Sequence, residues 1–154
     1  MNLKIKRVIF AILIIVNCIV IFNFSAQNSE KSTESSDVIV DKVVNTISHV
    51  HKKTKKATLK SIITVVVRKF AHFSIYALLG LWMILLLNTF NVTFKQKILI
   101  CILFCGLYAI SDEVHQNFVS GRSPEIRDVC IDTLGAFCGG ILGIAINKFF
   151  KLKK

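Results

Sequence analysis

At 154 residues, with 53% hydrophobic residues and a single proline, the chain has a mean hydropathy of +0.61, which suits helices crossing lipid better than the core of a soluble domain. Its net charge of +11 does not describe a nucleic-acid binder, because the basic residues flank apolar runs instead of interleaving with aromatic ones. Nucleic acid is therefore not an expected partner, and the lipid bilayer is.

The charges read as a topology signal. Lys4, Lys6 and Arg7 precede the first apolar run, Lys95 and Lys97 separate the second from the third, and Lys148, Lys151, Lys153 and Lys154 follow the last. Basic residues collect on the cytoplasmic side of membrane helices, which predicts a multi-pass protein with both termini in the cytoplasm.

The first span is expected over about residues 8–24. Its basic leader has the look of a secretory signal, but the apolar stretch is longer than a signal core, and Phe24-Ser25-Ala26 lacks a small residue at the first cleavage position. An uncleaved anchor is predicted. Residues 25–67 then form the expected extracytoplasmic segment. Within it Val40, Val43, Val44, Ile47 and Val50 recur at helical spacing, which predicts an amphipathic surface helix from Ser36 to His51. The lysines at 52, 53, 55, 56 and 60 fall outside in this topology, against the usual charge bias.

Further spans are expected over about residues 70–87, 98–111 and 129–146. The last carries Gly135, Gly139 and Gly143 at four-residue intervals, with Ala136 and Gly140 beside them, so a neighbouring helix can approach its backbone closely. The predicted fold class is all-α: a four-helix transmembrane bundle plus one amphipathic surface helix, in a single membrane domain over residues 1–154. No oligomeric state is legible. The five cysteines (Cys18, Cys101, Cys105, Cys130 and Cys138) are odd in number, lack CxxC spacing and mostly sit in apolar runs, where thiols act as small hydrophobes.

Helix rise places the polar residues in depth. From Asn88 to His72, from Lys97 to Asp112 and from Lys148 to Asp132 the climb is roughly 22–24 Å at ~1.5 Å per residue, against a hydrocarbon core of about 30 Å. His72, Asp112 and Asp132 therefore share one layer, slightly below the outer surface. Ionisable groups at such depth are costly unless they face a cavity or one another, which makes them functional candidates. A purely structural ion network is the competing explanation.

Spacing supports convergence. Arg68, His72 and Tyr76 fall at four-residue steps with Lys69 alongside, Asp112 shares a face with His115 and Gln116, and Asp128 pairs with Asp132 beside the glycine ridge. Between the third and fourth spans, Ser120-Gly121-Arg122-Ser123-Pro124 reads as a turn into a helix, with Ser123 as cap and Pro124 at the first position. The free N–H groups of that helix end, with Arg122 and Arg127 nearby, would suit a phosphate or carboxylate. Alternatively, the two arginines neutralise Asp112, Glu113 and Asp128.

The segments Arg68-Lys69-Phe70-Ala71-His72-Phe73-Ser74-Ile75-Tyr76-Ala77-Leu78-Leu79-Gly80 and Ser111-Asp112-Glu113-Val114-His115-Gln116-Asn117-Phe118-Val119-Ser120-Gly121-Arg122 strongly resemble the VanZ-like family. Asp128, Asp132, Gly135 and Gly139 continue the match, and Phe24-Ser25-Ala26-Gln27 resembles the family's serine and glutamine motif after the first span, adding Ser25 and Gln27 to the site. The resemblance implies a membrane protein of the bacterial cell envelope, in the cytoplasmic membrane, from a family whose namesake is associated with resistance to the glycopeptide antibiotic teicoplanin. One departure stands out: Ile75 occupies the place where a glutamate is expected before the tyrosine.

Two functions are then in competition. In the first, the protein is an enzyme acting at the outer leaflet on an anionic lipid or lipid-linked envelope precursor: His72 or His115 serves as acid or base, Asp112 and Glu113 orient or balance it, and Arg122 with Arg127 holds the anion, the binding surface being completed by Arg68, Lys69, Tyr76, Gln116, Asp128 and Asp132. In the second, the same pocket binds without turnover and changes how an antibiotic or precursor meets the cell surface. His72, Asp112, Glu113, His115, Asp128 and Asp132 include metal-ligand types, but no compact motif such as HExxH groups them, so neither a metal nor another cofactor is expected. The cytoplasmic halves of the spans offer almost no polar lining, which argues against a solute channel.

Overall fold

The structure, a computed structural model, describes residues 2–26, 40–44, 46, 56–120, 122 and 124–152. Four long helices dominate: α1 (Leu3–Ser25), α2 (Lys56–Leu87), α3 (Phe94–Gln116) and α4 (Ile126–Leu152). Each is long and apolar enough to cross a membrane. Every expected span lies inside one of them.

The helix ends follow from local chemistry. Asn2 caps α1, its Oδ1 accepting from the Lys4 amide at 3.1 Å. Thr93 opens α3 with a capping box: its hydroxyl accepts from the Gln96 amide while the Gln96 side chain accepts from the Thr93 amide at 2.9 Å. The start of α4 differs from the expectation. Pro124 precedes the helix instead of opening it, and the Glu113 carboxylate reaches across from α3 to accept the Glu125 amide at 2.9 Å. The acid thereby takes up part of the helix end expected to receive an external anion. The cap assigned to Ser123 falls outside the described residues.

Helix α2 also begins earlier than expected. Residues 56–67, placed by sequence in the extracytoplasmic segment, continue the same helix as the second span. From Leu87 back to Arg68 the helix rises about 29 Å, close to the full hydrocarbon thickness, so the turns before Arg68 exceed the length one crossing needs. Of the amphipathic helix, residues 40–44 and 46 are helical, with Val40 and Val44 buried. Asp41 pairs with Lys60 of α2 at 3.1 Å. The remainder of Ser36–His51, and lysines 52, 53 and 55, lie outside the described residues.

The bundle is built on an α2–α4 seam, the most extensive helix contact. A side chain at Gly135 would collide with the backbone of Phe73, one at Gly139 with the backbone of Ala77, and one at Gly80 with that of Ala136. The two backbones touch, and only glycine permits it. Tyr76, Leu79, Ile84, Cys101, Cys105, Ala109 and Ala136 fill the core between α2, α3 and α4, while Ile14 and Ile21 bring in α1. Cys101 donates to the Gly80 carbonyl at 3.7 Å, so the buried thiols act as packing groups.

Outside this core the apolar residues face outward. In α1 only 17% of the span is buried within the molecule, and Ile12, Ile15, Val16, Ile19 and Phe22 are exposed. An aqueous protein does not display such a surface over four helices; a bilayer covers it.

Candidate functional site

The four helices place two polar layers at opposite ends. At one end Arg7 of α1 donates to the Thr89 carbonyl at 2.8 Å and lies over the Phe90 ring at 4.2 Å, and Lys97 donates to Asn88 Oδ1 at 2.8 Å. At the other, α2 delivers Arg68, Lys69 and His72, α3 delivers Asp112, Glu113 and Gln116, α4 delivers Asp128 and Asp132, and α1 ends at Ser25.

His72, Asp112 and Asp132 meet. Each offers one ligand-type atom, and the three atoms lie within 4.8 Å of one another. His72 Nδ1 stands 3.7 Å from Asp132 Oδ2, within ion-pair range but too long for a hydrogen bond. Asp132 is fully buried, and neither of its carboxylate oxygens has a hydrogen bond among the described residues. Asp112, also buried, accepts from Gln116 Nε2 at 3.2 Å. Ser25 is buried beside Asp112, yet its Oγ forms no hydrogen bond of normal geometry. Tyr76, one turn deeper than His72, is buried with its hydroxyl unpartnered.

Above this floor opens a cavity of about 270 Å³, lined by Arg68, Lys69, His72, Gln116, Arg122, Glu125, Asp128 and Asp132 together with Val65 and Ile131. That is room for roughly nine waters and falls just short of the usual range for a drug-sized ligand. Lys69 is engaged by Asp128 and, at 3.4 Å, by Glu125. Arg68 has no ion-pair partner among the described residues, and Arg122 donates only to the Phe24 carbonyl, at 3.3 Å, leaving Nε and Nη1 buried and unpartnered. Burial, followed by the neighbouring Arg68 guanidinium, lowers the Arg122 pKa from its ordinary value, with Asp112 and Glu113 opposing. It remains a cation.

Of the site residues expected from sequence, Ser25, Tyr76, Asp112, Glu113, His115 and Arg127 do not line the cavity. His115 stacks on Phe22 of α1, with ring centroids 4.5 Å apart, and its Nε2 is buried without a partner. Arg127 is exposed on the first turn of α4. Glu113 is committed to the Glu125 amide. Gln27 lies outside the described residues. Of the alternative in which Arg122 and Arg127 neutralise Asp112, Glu113 and Asp128, the electrostatic pull of Asp112 and Glu113 on Arg122 is present without a direct ion pair among the described residues, while Asp128 engages Lys69 and Glu113 accepts a backbone amide. Ile75 packs against the hydrophobic cluster.

Sequence reasoning missed Glu125, which lines the cavity and pairs with Lys69; its place in an aperiodic turn carried no signal. It also missed Asn17, a polar residue in the middle of an apolar span and buried in the structure, which donates to the Ile75 carbonyl at 3.4 Å. An intramembrane asparagine is itself a signal of helix contact.

These features define a class: an α-helical membrane protein with two buried carboxylates and a half-buried histidine beside a cavity lined by charges of both signs, at one end of its bundle. Within that class, the chain belongs to the VanZ/LLP1 family, whose model matches residues 10–150. No curated protein and no solved structure matches it.

Proposed function

We propose that the protein resides in the bacterial cytoplasmic membrane with both termini in the cytoplasm, and that its cavity takes the head group of an anionic lipid or lipid-linked envelope precursor from the outer leaflet. The observation that carries this reading is the pair of guanidinium groups, Arg68 and Arg122, lining one cavity of about 270 Å³ with no carboxylate ion pair of their own among the described residues. Two like charges held together at a membrane boundary are relieved by an anion that both can bind. Lys4, Lys6, Arg7, Lys95, Lys97 and Lys148 at the opposite end support this orientation, against the cations at 56, 60, 68, 69, 122 and 127 toward the cavity end.

The reading is enzymatic. His72, held between Asp112 and Asp132 at the cavity floor, can carry a proton to or from a bound head group, and the carboxylates steady whichever charge it holds. Protection against teicoplanin, suggested by the family resemblance, belongs to the same reading. The test is to incubate purified protein with labelled anionic envelope lipids and analyse both the retained lipid and any changed product. Retention that depends on Arg68 and Arg122, with a product that disappears in His72→Ala, is expected. Retention without a product in repeated preparations establishes a passive binder, and retention indifferent to both arginines removes the cavity as the site.

A further inference from the structure

We propose that His72, Asp112 and Asp132 form a site for one divalent transition-metal ion, Zn²⁺ or Mn²⁺, at the floor of the cavity. The inference deepens the functional reading above and rests on that cavity being the working site.

Two buried carboxylates side by side are expensive unless something balances them. One histidine balances at most one of them, and only while protonated. A divalent cation with a neutral imidazole and two carboxylates gives a site of zero net charge. Asp132 shows the need most plainly: it is fully buried, both its oxygens lack hydrogen bonds among the described residues, and its ion-pair partner there, His72, stands at 3.7 Å. A fully buried carboxylate at the base of a polar cavity, without a hydrogen bond among the described residues, has the form of a ligand.

The geometry is close to what coordination requires. Ligand atoms around an ion with ~2.1 Å bonds are separated by about 3.4 Å in a tetrahedron and about 4.2 Å across an octahedron. The three atoms here lie within 4.8 Å, so small rotations about the side-chain torsions complete the site. The scaffold is rigid where it matters: Gly135 lies against the Phe73 backbone, which fixes α4 relative to α2 next to both Asp132 and His72. Gln116 holds one oxygen of Asp112, as outer-shell partners of metal ligands do. Three protein ligands leave coordination positions facing the cavity, where a head-group oxygen or water would complete the shell. The imidazole favours a transition ion over Ca²⁺, which prefers six or more oxygens.

The test uses the full chain in detergent micelles, stripped with a chelator and titrated with Mn²⁺ alone under electron paramagnetic resonance, then with Zn²⁺ as competitor. One Mn²⁺ per chain is expected, displaced by Zn²⁺ and showing the nuclear coupling of a single imidazole nitrogen. Asp132→Asn should weaken binding by at least about 100-fold, and His72→Gln should abolish the nitrogen coupling. Should Asp132→Asn fail to fold, judged by helical circular dichroism, His72→Gln decides the matter through the coupling alone. Absence of tight binding in the wild type, binding that survives Asp132→Asn, or bound Mn²⁺ without nitrogen coupling overturns the proposal. Anionic-lipid retention measured on both the chelated and the Zn²⁺-loaded protein separates the two ideas: retention without metal binding sinks the metal site and leaves the lipid cavity, whereas metal binding with no retention in either form does the reverse.

Discussion

The two ends of the bundle are both polar, yet they solve the burial of polar groups differently. At the Arg7 end, cations meet carbonyls, an aromatic face and an amide oxygen, and Thr93 and Gln96 satisfy each other. At the His72 end the polar atoms converge and stay unmatched. Of nine buried side-chain atoms without hydrogen bonds among the described residues, all but Asn88 Nδ2 lie there. Natural structures keep such atoms rare, so their concentration around a cavity wide enough for water or an anion sets this end apart from the other, where the cations are already matched.

The contrast fails at once if the seam between α2 and α4 does not hold the unmatched end together. Gly139→Leu is the sharpest challenge, because even its Cβ would collide with the Ala77 backbone, which cannot swing aside as a side chain does. The expected cost is about 3 kcal/mol or more, seen as a fall of roughly 10 °C in the detergent melting temperature, together with loss of anionic-lipid retention. A variant that melts like the wild type would mean that the seam is looser than the structure has it.

Removing both guanidinium groups should act on binding and spare folding. For Arg68→Ala with Arg122→Ala the expected loss of phosphatidylglycerol retention is about 100-fold, or ~2.7 kcal/mol, with little change in melting temperature because neither arginine has a carboxylate ion pair among the described residues and Arg122 gives up only one exposed hydrogen bond, to the Phe24 carbonyl. Arg7→Ala should give the opposite pattern. It removes two hydrogen bonds and a ring contact, for an expected destabilisation of about 1–2 kcal/mol, and leaves lipid retention unchanged. If Arg7→Ala also weakened retention, the two ends would not be independent.

Much of this was legible before any coordinates. The spans follow from hydropathy, and the shared depth of His72, Asp112 and Asp132 from helix rise alone, since three straight helices counted from a common boundary reach a common layer. Lys60 and the Arg68-Lys69 pair interrupt the apolar pattern and hid the true start of α2, although a helix tolerates such residues once it leaves the hydrocarbon. Which arginine faces the cavity was not legible either. Arg122 and Arg127 flank the same turn, and a turn has no periodicity from which to read direction. Similarly, the three-residue offset between Asp112 and His115 put them on one face by rule, yet it swings His115 far enough round α3 to meet Phe22 of α1.

Arg127→Ala therefore gives the smallest expected effect and the finest discrimination. Arg122 and Arg127 carry the same charge a few residues apart, so a diffuse electrostatic attraction would treat them alike, and both variants would weaken lipid retention together at low salt. Directed contact inside a cavity treats them differently: Arg122 lines it with two buried, unpartnered nitrogens, while Arg127 is exposed and does not line it. An exposed charge is screened and worth little, so retention in Arg127→Ala should stay within about twofold of the wild type, with that difference vanishing at raised ionic strength. Equal losses in the Arg122→Ala and Arg127→Ala single variants would move the anion out of the cavity and onto the outer surface of the α4 N-terminus, and the unmatched atoms beneath would then need another partner.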